Sequence, residues 1–329
     1  MMDFLFEIFP YALAFTAPIL ITALGGLFSE RSGVVNIGLE GLMVVGSFAA
    51  AFTMYKLTNG NEVGHAVTSG MLFTAILASV LAGGVFSILH AYASITLKAN
   101  QIISGTAINM LAAASTLFLA EFFSGSERLA VATGVARKNV TFFGGNLDLS
   151  KIPFIGDLFF TRTYFTTYLV LAIVAIMWYV LMKIPFGLRL RACGEYPQAA
   201  ESTGINVTFM RYVGVILSGC FAGLGGGILV LTYNTEFTGT VSGLGFLALA
   251  TLIFGQWKPW KVLGASFFFG FMRTMATMAR VNDELKTLGI PQEVYRALPY
   301  ALTLVALLIF SKNTVGPKAL GETFDSGKR

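Results

Sequence analysis

The chain has 329 residues, of which 55% are hydrophobic and only 12% are charged, and its mean hydropathy is +0.74. Soluble domains usually carry about 25% charged residues, so this composition excludes a protein that water solvates over its whole surface. The net charge of +5 would suggest nucleic acid in a soluble chain. Here the basic residues lie largely in short connections between apolar stretches, where the positive-inside rule expects them beside a membrane.

The N-terminus, MMDFLFEIFP, contains two acidic residues and no basic ones. A secretory signal peptide begins with a basic region, so we expect the first apolar stretch to remain in the mature protein as a membrane span.

Apolar stretches recur along the whole chain. A helix needs about 20 apolar residues to cross a hydrocarbon core of about 30 Å. The sequence therefore predicts one all-α transmembrane bundle over residues 1–329, with about 8–10 spans by that length criterion. The predicted spans lie near 10–28, 34–56, 70–92, 102–123, 164–182, 211–233, 262–281 and 295–311. The shorter stretch 244–256 fits either a half-helix or the end of a span that begins near 238.

Three connections stand out by length or charge. The loop of about 124–163 is long and contains both charge signs, whereas the segment of about 183–210 and the tail of about 312–329 are rich in basic residues. The positive-inside rule predicts a cytoplasmic position for the segment, the tail and the WKPWK turn at 257–261, and an external one for the loop. If 238–256 crosses the membrane, nine crossings and an external N-terminus follow. A re-entrant segment around 29–41 would reverse the N-terminal side.

The first motif is ERSGVVNIGLEG at 30–41, between two strongly apolar stretches. Glu40 falls inside the second stretch, and a charge within a membrane segment usually faces protein or a wet cavity. Asn36, Gly38 and Gly41 would permit an irregular backbone that lines such a cavity. The alternative is an interfacial loop whose charges meet lipid headgroups.

The second motif is KANQIISGTAIN at 98–109, at the start of a predicted span. Asn100, Ser104, Thr106 and Asn109 recur at helical spacing, so their side chains lie along one stripe. Such a stripe either lines a pathway or bonds two helices together, and the second interpretation is the commoner one.

The third motif is the 183–210 segment, which reads as a short amphipathic helix around 195–203. A charged face of Arg189, Arg191, Glu195 and Glu201 is typical of an element that docks a soluble partner. A surface helix on lipid headgroups is the alternative, although two acidic residues suit an anionic leaflet poorly.

Enzyme and metal signatures are missing from the sequence. The glycine run at 223–227 is followed by no Lys-Ser or Lys-Thr pair, so it predicts close helix packing rather than a phosphate loop. The two cysteines, Cys193 and Cys220, form no metal-binding spacing with the two histidines. We therefore expect a transport subunit that is not an enzyme and binds no cofactor of its own.

Taken together, three segments resemble one known family. ERSGVVNIGLEGLM at 30–43, NQIISGTAIN at 100–109 and GLRLRACGEYPQAAESTGINV at 187–207 resemble the permeases of ATP-binding-cassette importers for branched-chain amino acids, ribose and nucleosides. The wording NIGLEG is most similar to the nucleoside and simple-sugar branch. The resemblance covers most of the chain in order, and the 124–163 loop matches least well.

The resemblance implies a type II ABC importer permease that works by alternating access. Its partners would be a cytoplasmic ATPase that holds ATP and Mg²⁺, a second related permease chain, and an external substrate-binding protein. It would lie in a bacterial plasma (inner) membrane with a cytoplasmic C-terminus. Residues that couple it to the ATPase would be Arg189, Arg191, Gly194, Glu195, Pro197, Ala199, Ala200, Glu201 and Gly204. We also expect a set of polar residues to line or support the substrate pathway: Asn36, Glu40, Asn100, Gln101, Ser104 and Asn109.

Other functions remain open from the sequence. The motif at 30–43 favours nucleosides, but simple sugars or branched-chain amino acids fit the same family. An ion-coupled secondary transporter is an alternative of another class, since such proteins also place charges within the membrane.

Overall fold

The computed structural model describes residues 2–60, 67–131, 141–142, 147–148, 152, 164–234, 236–278, 294, 297, 301, 304–305 and 316–326. The predicted span 295–311 lies largely outside these residues. Ten α-helices occur in the described chain: α1 (Met2–Arg31), α2 (Leu39–Leu57), α3 (Ser69–Ala91), α4 (Gln101–Ser124), α5 (Phe165–Lys183), α6 (Pro185–Glu195), α7 (Pro197–Ser202), α8 (Val207–Thr232), α9 (Leu244–Phe254) and α10 (Pro259–Met278). A π-helical turn, Tyr92–Thr96, extends α3.

Four two-residue strands are the only strands among the described residues. They are β1 (Leu129–Ala130), β2 (Thr141–Phe142), β3 (Leu147–Asp148) and β4 (Glu236–Phe237). β1 pairs with β4 and β2 with β3, both antiparallel. The all-α prediction is confirmed.

Five of the described helices are long and apolar enough to cross a membrane: Ile8–Arg31, Ser69–Thr96, Gln101–Ser124, Thr166–Lys183 and Val207–Thr232. α2 and α10, with 19 and 20 residues, run beside them. A bundle with this many apolar helices suits a multi-pass membrane protein.

The bundle has two distinguishable ends. At one end the last turn of α1 meets α6, where Arg31 pairs with Glu195, and the tail 316–326 binds there as well. We call this the coupling end. At the other end, the far end, β1 follows α4 and pairs with β4, which follows α8.

The centre of the bundle is α8, which packs against α1, α2 and α3. Its glycines permit this closeness, because a methyl group added at Gly223 would lie 3.0 Å from the Gly83 Cα and would overlap the Ser79 carbonyl. Ser47 of α2 donates a 2.8 Å hydrogen bond to the Gly226 carbonyl. The glycine run at 223–227 is thus a helix-packing surface, as its apolar setting predicts.

α9 is a half-helix. Its 11 residues span about 16 Å at 1.5 Å per residue, roughly half of a hydrocarbon core. It ends beside the coupling end, where the Trp257 carbonyl meets Arg31, so its start lies near the middle of the bundle. Residues 238–243 lead to it from the far end without helical structure, and Ser242 and Gly243 adopt positive φ angles of 56° and 78°.

Two boundaries differ from the sequence expectation. The span predicted from residue 34 begins only at Leu39. Residues 32–38 form a non-helical linker, in which Gly33 adopts a positive φ of 96°. The helix expected around 195–203 is present as α7, and a second helix that was not predicted, α6, precedes it. Pro185 and Pro197 each begin one of these helices, a position where a missing N–H costs nothing.

Candidate substrate pathway and coupling surface

The linker 32–38 between α1 and α2 is held by side chains from three other helices. Gln101 at the start of α4 accepts a 2.7 Å hydrogen bond from the Val35 N–H. His90 of α3 lies 3.0 Å from the Val35 carbonyl through Nε2 and 3.0 Å from Ser104 Oγ through Nδ1. A carbonyl only accepts, so Nε2 carries the proton, and in the neutral imidazole Nδ1 accepts from the Ser104 hydroxyl. Sequence analysis did not select His90, because it is a lone histidine in an apolar stretch.

Two asparagines continue this support. Asn109 accepts a 2.7 Å bond from the Gly41 N–H and donates a 3.0 Å bond to the Ile37 carbonyl. Asn36 is fully buried and donates to Ser218 Oγ of α8 at 2.9 Å. Unpaired backbone groups are costly inside a membrane, so these side chains replace the helical bonds that the linker lacks.

Asn100 has a local role. Its side chain accepts bonds from the Ile102 and Ile103 N–H groups at 2.9 and 3.2 Å, which caps α4. The described contacts of these predicted pathway residues therefore support the linker and α4. Whether any of them also meets a substrate stays a prediction.

Glu40 lies where two helices begin. Its Oε1 accepts a 2.9 Å hydrogen bond from the Gly243 N–H, and its Oε2 accepts a 2.7 Å bond from the Gly245 N–H. Both donors belong to the N-terminus of α9, where the helix dipole also favours a negative charge. Broken helices with their ends near the midplane are a recurrent feature of transporter binding sites.

The predicted coupling residues divide into a buried and an accessible set. Gly194, Pro197 and Ala200 are buried and hold α6 and α7 against the bundle, and Arg191, Glu195 and Glu201 are half-buried. Arg189, Ala199 and Gly204 are exposed.

A groove lies on the accessible side of the coupling segment. Its volume is about 610 Å³, and Arg189, Gly204 and Met210 are among its lining residues. Leu188 and Phe209 also line it and are 63% and 62% exposed. An apolar groove with a charged rim has the composition of a protein-docking surface.

Arg31 joins the coupling segment to the rest of the bundle. Its Nη2 donates a 2.8 Å hydrogen bond to the Trp257 carbonyl, and its Nη1 lies 3.6 Å from a carboxylate oxygen of Glu195. The indole of Trp257 donates to the buried carboxylate of Glu30 at 2.5 Å. Arg31 of α1 therefore bridges α6 and the turn before α10.

The tail 316–326, which we call the strap, bonds to several elements of the coupling end. Ala319 N–H donates to the Gly194 carbonyl at 2.9 Å, and Gly321 N–H donates to the Gly33 carbonyl at 3.1 Å. Arg211 of α8, only 2% exposed, donates to the Glu322 carbonyl at 2.8 Å. The tail thus connects α6, the linker and α8, and the sequence predicted only its basic charge.

Cys193 of α6 is buried beside Gly194, whose carbonyl binds the tail. Burial raises the pKa of its thiol to about 11, and the nearby Arg211 opposes that shift. A protonated, buried thiol is inert.

Residues 8–307 match the family described as branched-chain amino acid transport system / permease component. The chain belongs to this family. The permease is therefore a membrane-spanning transport subunit and not an enzyme, and a permease component is one part of a larger transport system. The resemblance identified from the three sequence motifs is confirmed, and the family match decides against an ion-coupled secondary transporter.

Three proteins with permease names match this chain over most of their length. The guanosine ABC transporter permease protein NupQ of Bacillus subtilis is 43% identical over 324 residues, covering 98% of this permease and 97% of NupQ. The nucleoside ABC transporter permease protein NupC of Lactococcus lactis is 37% identical over 317 residues, 96% of each chain. TsgC13 of Haloferax volcanii, provisionally named a glucose ABC transporter permease protein, is 33% identical over 309 residues, 89% of this chain and 88% of TsgC13.

Proposed function

We propose that this permease is the membrane subunit of an ATP-binding-cassette importer for nucleosides. The observation that carries the proposal is the 43% identity with a guanosine permease over 98% of the chain. The 37% identity with a nucleoside permease supports it, whereas the glucose relative is less similar at 33%.

The family and the exposed groove of the coupling segment support the partners that we propose. A cytoplasmic ATPase that holds ATP and Mg²⁺ docks on the exposed groove of α6 and α7, so that this chain itself binds no cofactor. An external binding protein delivers the nucleoside, and a second, related permease chain completes the pathway. The protein lies in the bacterial plasma membrane as one permease domain, 1–329, with the coupling end and the tail in the cytoplasm and the 124–163 loop outside.

Transport then proceeds by alternating access. Closure of the ATPase dimer pushes α6 and α7, and Arg31 passes that displacement to α1 and to the turn before α10. The linker 32–38 and Glu40 respond next, because the strap joins Gly194 to the linker. ATP biases two packed arrangements of the helices, since a ligand shifts an equilibrium only by its differential affinity for the two states.

Uptake by the reconstituted importer tests this function. The permease is co-expressed with its proposed partners, an ATPase, a binding protein and a second permease, and proteoliposomes are supplied with radiolabelled guanosine, adenosine, uridine, ribose, glucose or leucine. We expect ATP-dependent uptake of nucleosides alone. ATP-dependent uptake of a sugar or of leucine without any nucleoside would contradict the substrate assignment while leaving the importer mechanism intact.

The same preparation tests the partners. Native mass measurement of the purified complex reports whether the two permease chains are different or identical, and we expect two different ones. Complexes that form without the ATPase contacting this chain, or uptake that follows an ion gradient and not ATP, would contradict the proposed mechanism.

A further inference from the structure

The segment that leads into α9 has two different faces. Phe237, Gly239 and Val241 are buried, whereas the residues between and after them are exposed: Thr238, Thr240 and Ser242. The backbone is not a regular strand, because Gly239 and Ser242 adopt positive φ angles of 74° and 56° and the Thr240 hydroxyl accepts a 3.0 Å bond from the Ser242 N–H. The alternation in burial alone places Thr238, Thr240 and Ser242 on the exposed side of the segment. All three exposed side chains carry a hydroxyl group, so one face of the segment is a row of hydroxyls.

The depth of this row decides what it can face. It runs from β4 at the far end to the start of α9 near the middle of the bundle. Non-helical backbone is tolerated at membrane depth only where it is covered by protein or lines a water-filled cavity. Lipid is therefore excluded as the environment of this face.

An exposed aromatic side chain follows the row in the sequence. Phe246, in the first turn of α9, is 49% exposed, while Glu40 occupies the backbone N–H groups of the same helix end. A phenyl ring offers a flat apolar surface for stacking, and hydroxyls both donate and accept hydrogen bonds. A nucleoside has the matching parts, a flat base and a sugar with several hydroxyls.

We propose that Thr238, Thr240, Ser242 and Phe246 form one wall of the substrate pathway, on which the base stacks against Phe246 and the ribose bonds to the hydroxyl row. This inference rests on the proposed nucleoside function and assigns that substrate to particular residues. The row extends toward the far end, so the wall serves the side from which the substrate arrives. The opposite wall belongs to the second permease chain.

Accessibility of single cysteines tests the wall without reference to the substrate. Thr240→Cys is placed in a background of Cys193→Ser and Cys220→Ser, with Val85→Cys on the exposed apolar face of α3 as a matched control. A charged, water-soluble thiol reagent is added to the assembled complex in proteoliposomes, with and without ATP. We expect labelling of Thr240→Cys in at least one of the two conditions and none of Val85→Cys. No labelling of Thr240→Cys in either condition, in a complex that still transports, would overturn the wall.

Transport kinetics test the assignment to nucleosides. Phe246→Leu is expected to raise the KM for nucleoside about two- to tenfold, the size of one aromatic stacking contact, whereas Phe246→Tyr should keep it. Thr240→Val should also raise KM, and Thr74→Val should not, because Thr74 lies on α3 and bonds to its own helix. If Thr240→Cys is labelled but the importer takes up a sugar, the wall stands and the proposed function fails. If nucleosides are transported and neither Phe246→Leu nor Thr240→Val changes KM, the wall fails and the function stands.

Discussion

Glu40 and Gly245 are 205 positions apart, yet the carboxylate of one accepts a 2.7 Å hydrogen bond from the backbone N–H of the other. The contact joins the start of α2 to the start of α9. The first N–H groups of a helix have no carbonyl partner within the helix. Here the carboxylate of Glu40 is the acceptor for two of them at the start of α9.

Substitution of Glu40 should therefore lower the stability of the permease, apart from any effect on transport. Glu40→Ala leaves two N–H groups at the start of α9 without their acceptor. We expect a loss of about 1–3 kcal/mol for the buried one and less for that of half-buried Gly243. Glu40→Gln keeps one acceptor oxygen, so its unfolding temperature should lie between those of the native protein and Glu40→Ala. Thermal unfolding of the purified permease in detergent measures the order. A Glu40→Gln protein with unchanged assembly, ATPase coupling and uptake would show that the charge itself has no role.

Arg211 should control the strap. Its bond to the Glu322 carbonyl is of the kind that contributes about 1.5–3 kcal/mol when one partner is charged. Arg211→Met keeps the apolar volume and removes the donor, so the tail 316–326 should be cleaved faster by an added protease. Rates are compared with those of Arg128→Met, a substitution at an exposed arginine of the far end. Equal cleavage of the two variants would contradict an anchoring role for Arg211.

The packing of α8 predicts a contrast between two glycine substitutions. Gly223→Ala forces a methyl group into the Ser79 carbonyl, whereas Gly264→Ala adds one where no atom lies within 4 Å. Overpacking costs about 1–3 kcal/mol, so Gly223→Ala should lower the unfolding temperature. Gly264→Ala should be neutral or slightly stabilising, since alanine favours a helix more than glycine does. An equal effect of both substitutions would contradict the assigned closeness of α8 to α3.

Cys193 predicts a dependence on pH. Burial raises the pKa of its thiol to about 11 from an ordinary value of 9.0, so the folded protein favours the neutral thiol. The unfolded chain ionises first as the pH rises, and the stability from this group, present below about 9, is lost between about 9 and 11. Cys193→Ala should remove that part of the alkaline loss. In a Cys220→Ser background, alkylation of native Cys193 at pH 8 should be slow and should become rapid in denaturant.

Hydropathy predicted most of the membrane helices because a span needs only length and apolar side chains, both of which are local properties. It also drew attention to Glu40, since a charge in an apolar stretch is costly wherever it lies. The partner of Glu40 follows only from the tertiary fold. The same holds for Arg211 and the tail, whose contacts join residues 111 positions apart.

The helix α6, which was not predicted, did have a local signal in the sequence. Pro185 and Pro197 each occupy the first turn of a helix, so the division of the coupling segment into α6 and α7 could have been read from the two prolines. His90 offered no such signal, because its ring bonds to the backbone of a linker 55 positions away.

The glycines of α8 also have a practical consequence for measuring motion. The backbones of α2, α3 and α8 touch without intervening side chains, and interiors packed this closely do not deform gradually. These three helices should therefore move as one rigid unit and can serve as the reference for distance measurements. Distances between probes on α2 and α8 should stay constant through the ATP cycle, so that any change seen from α8 to α9 or to α6 can be assigned to the moving partner.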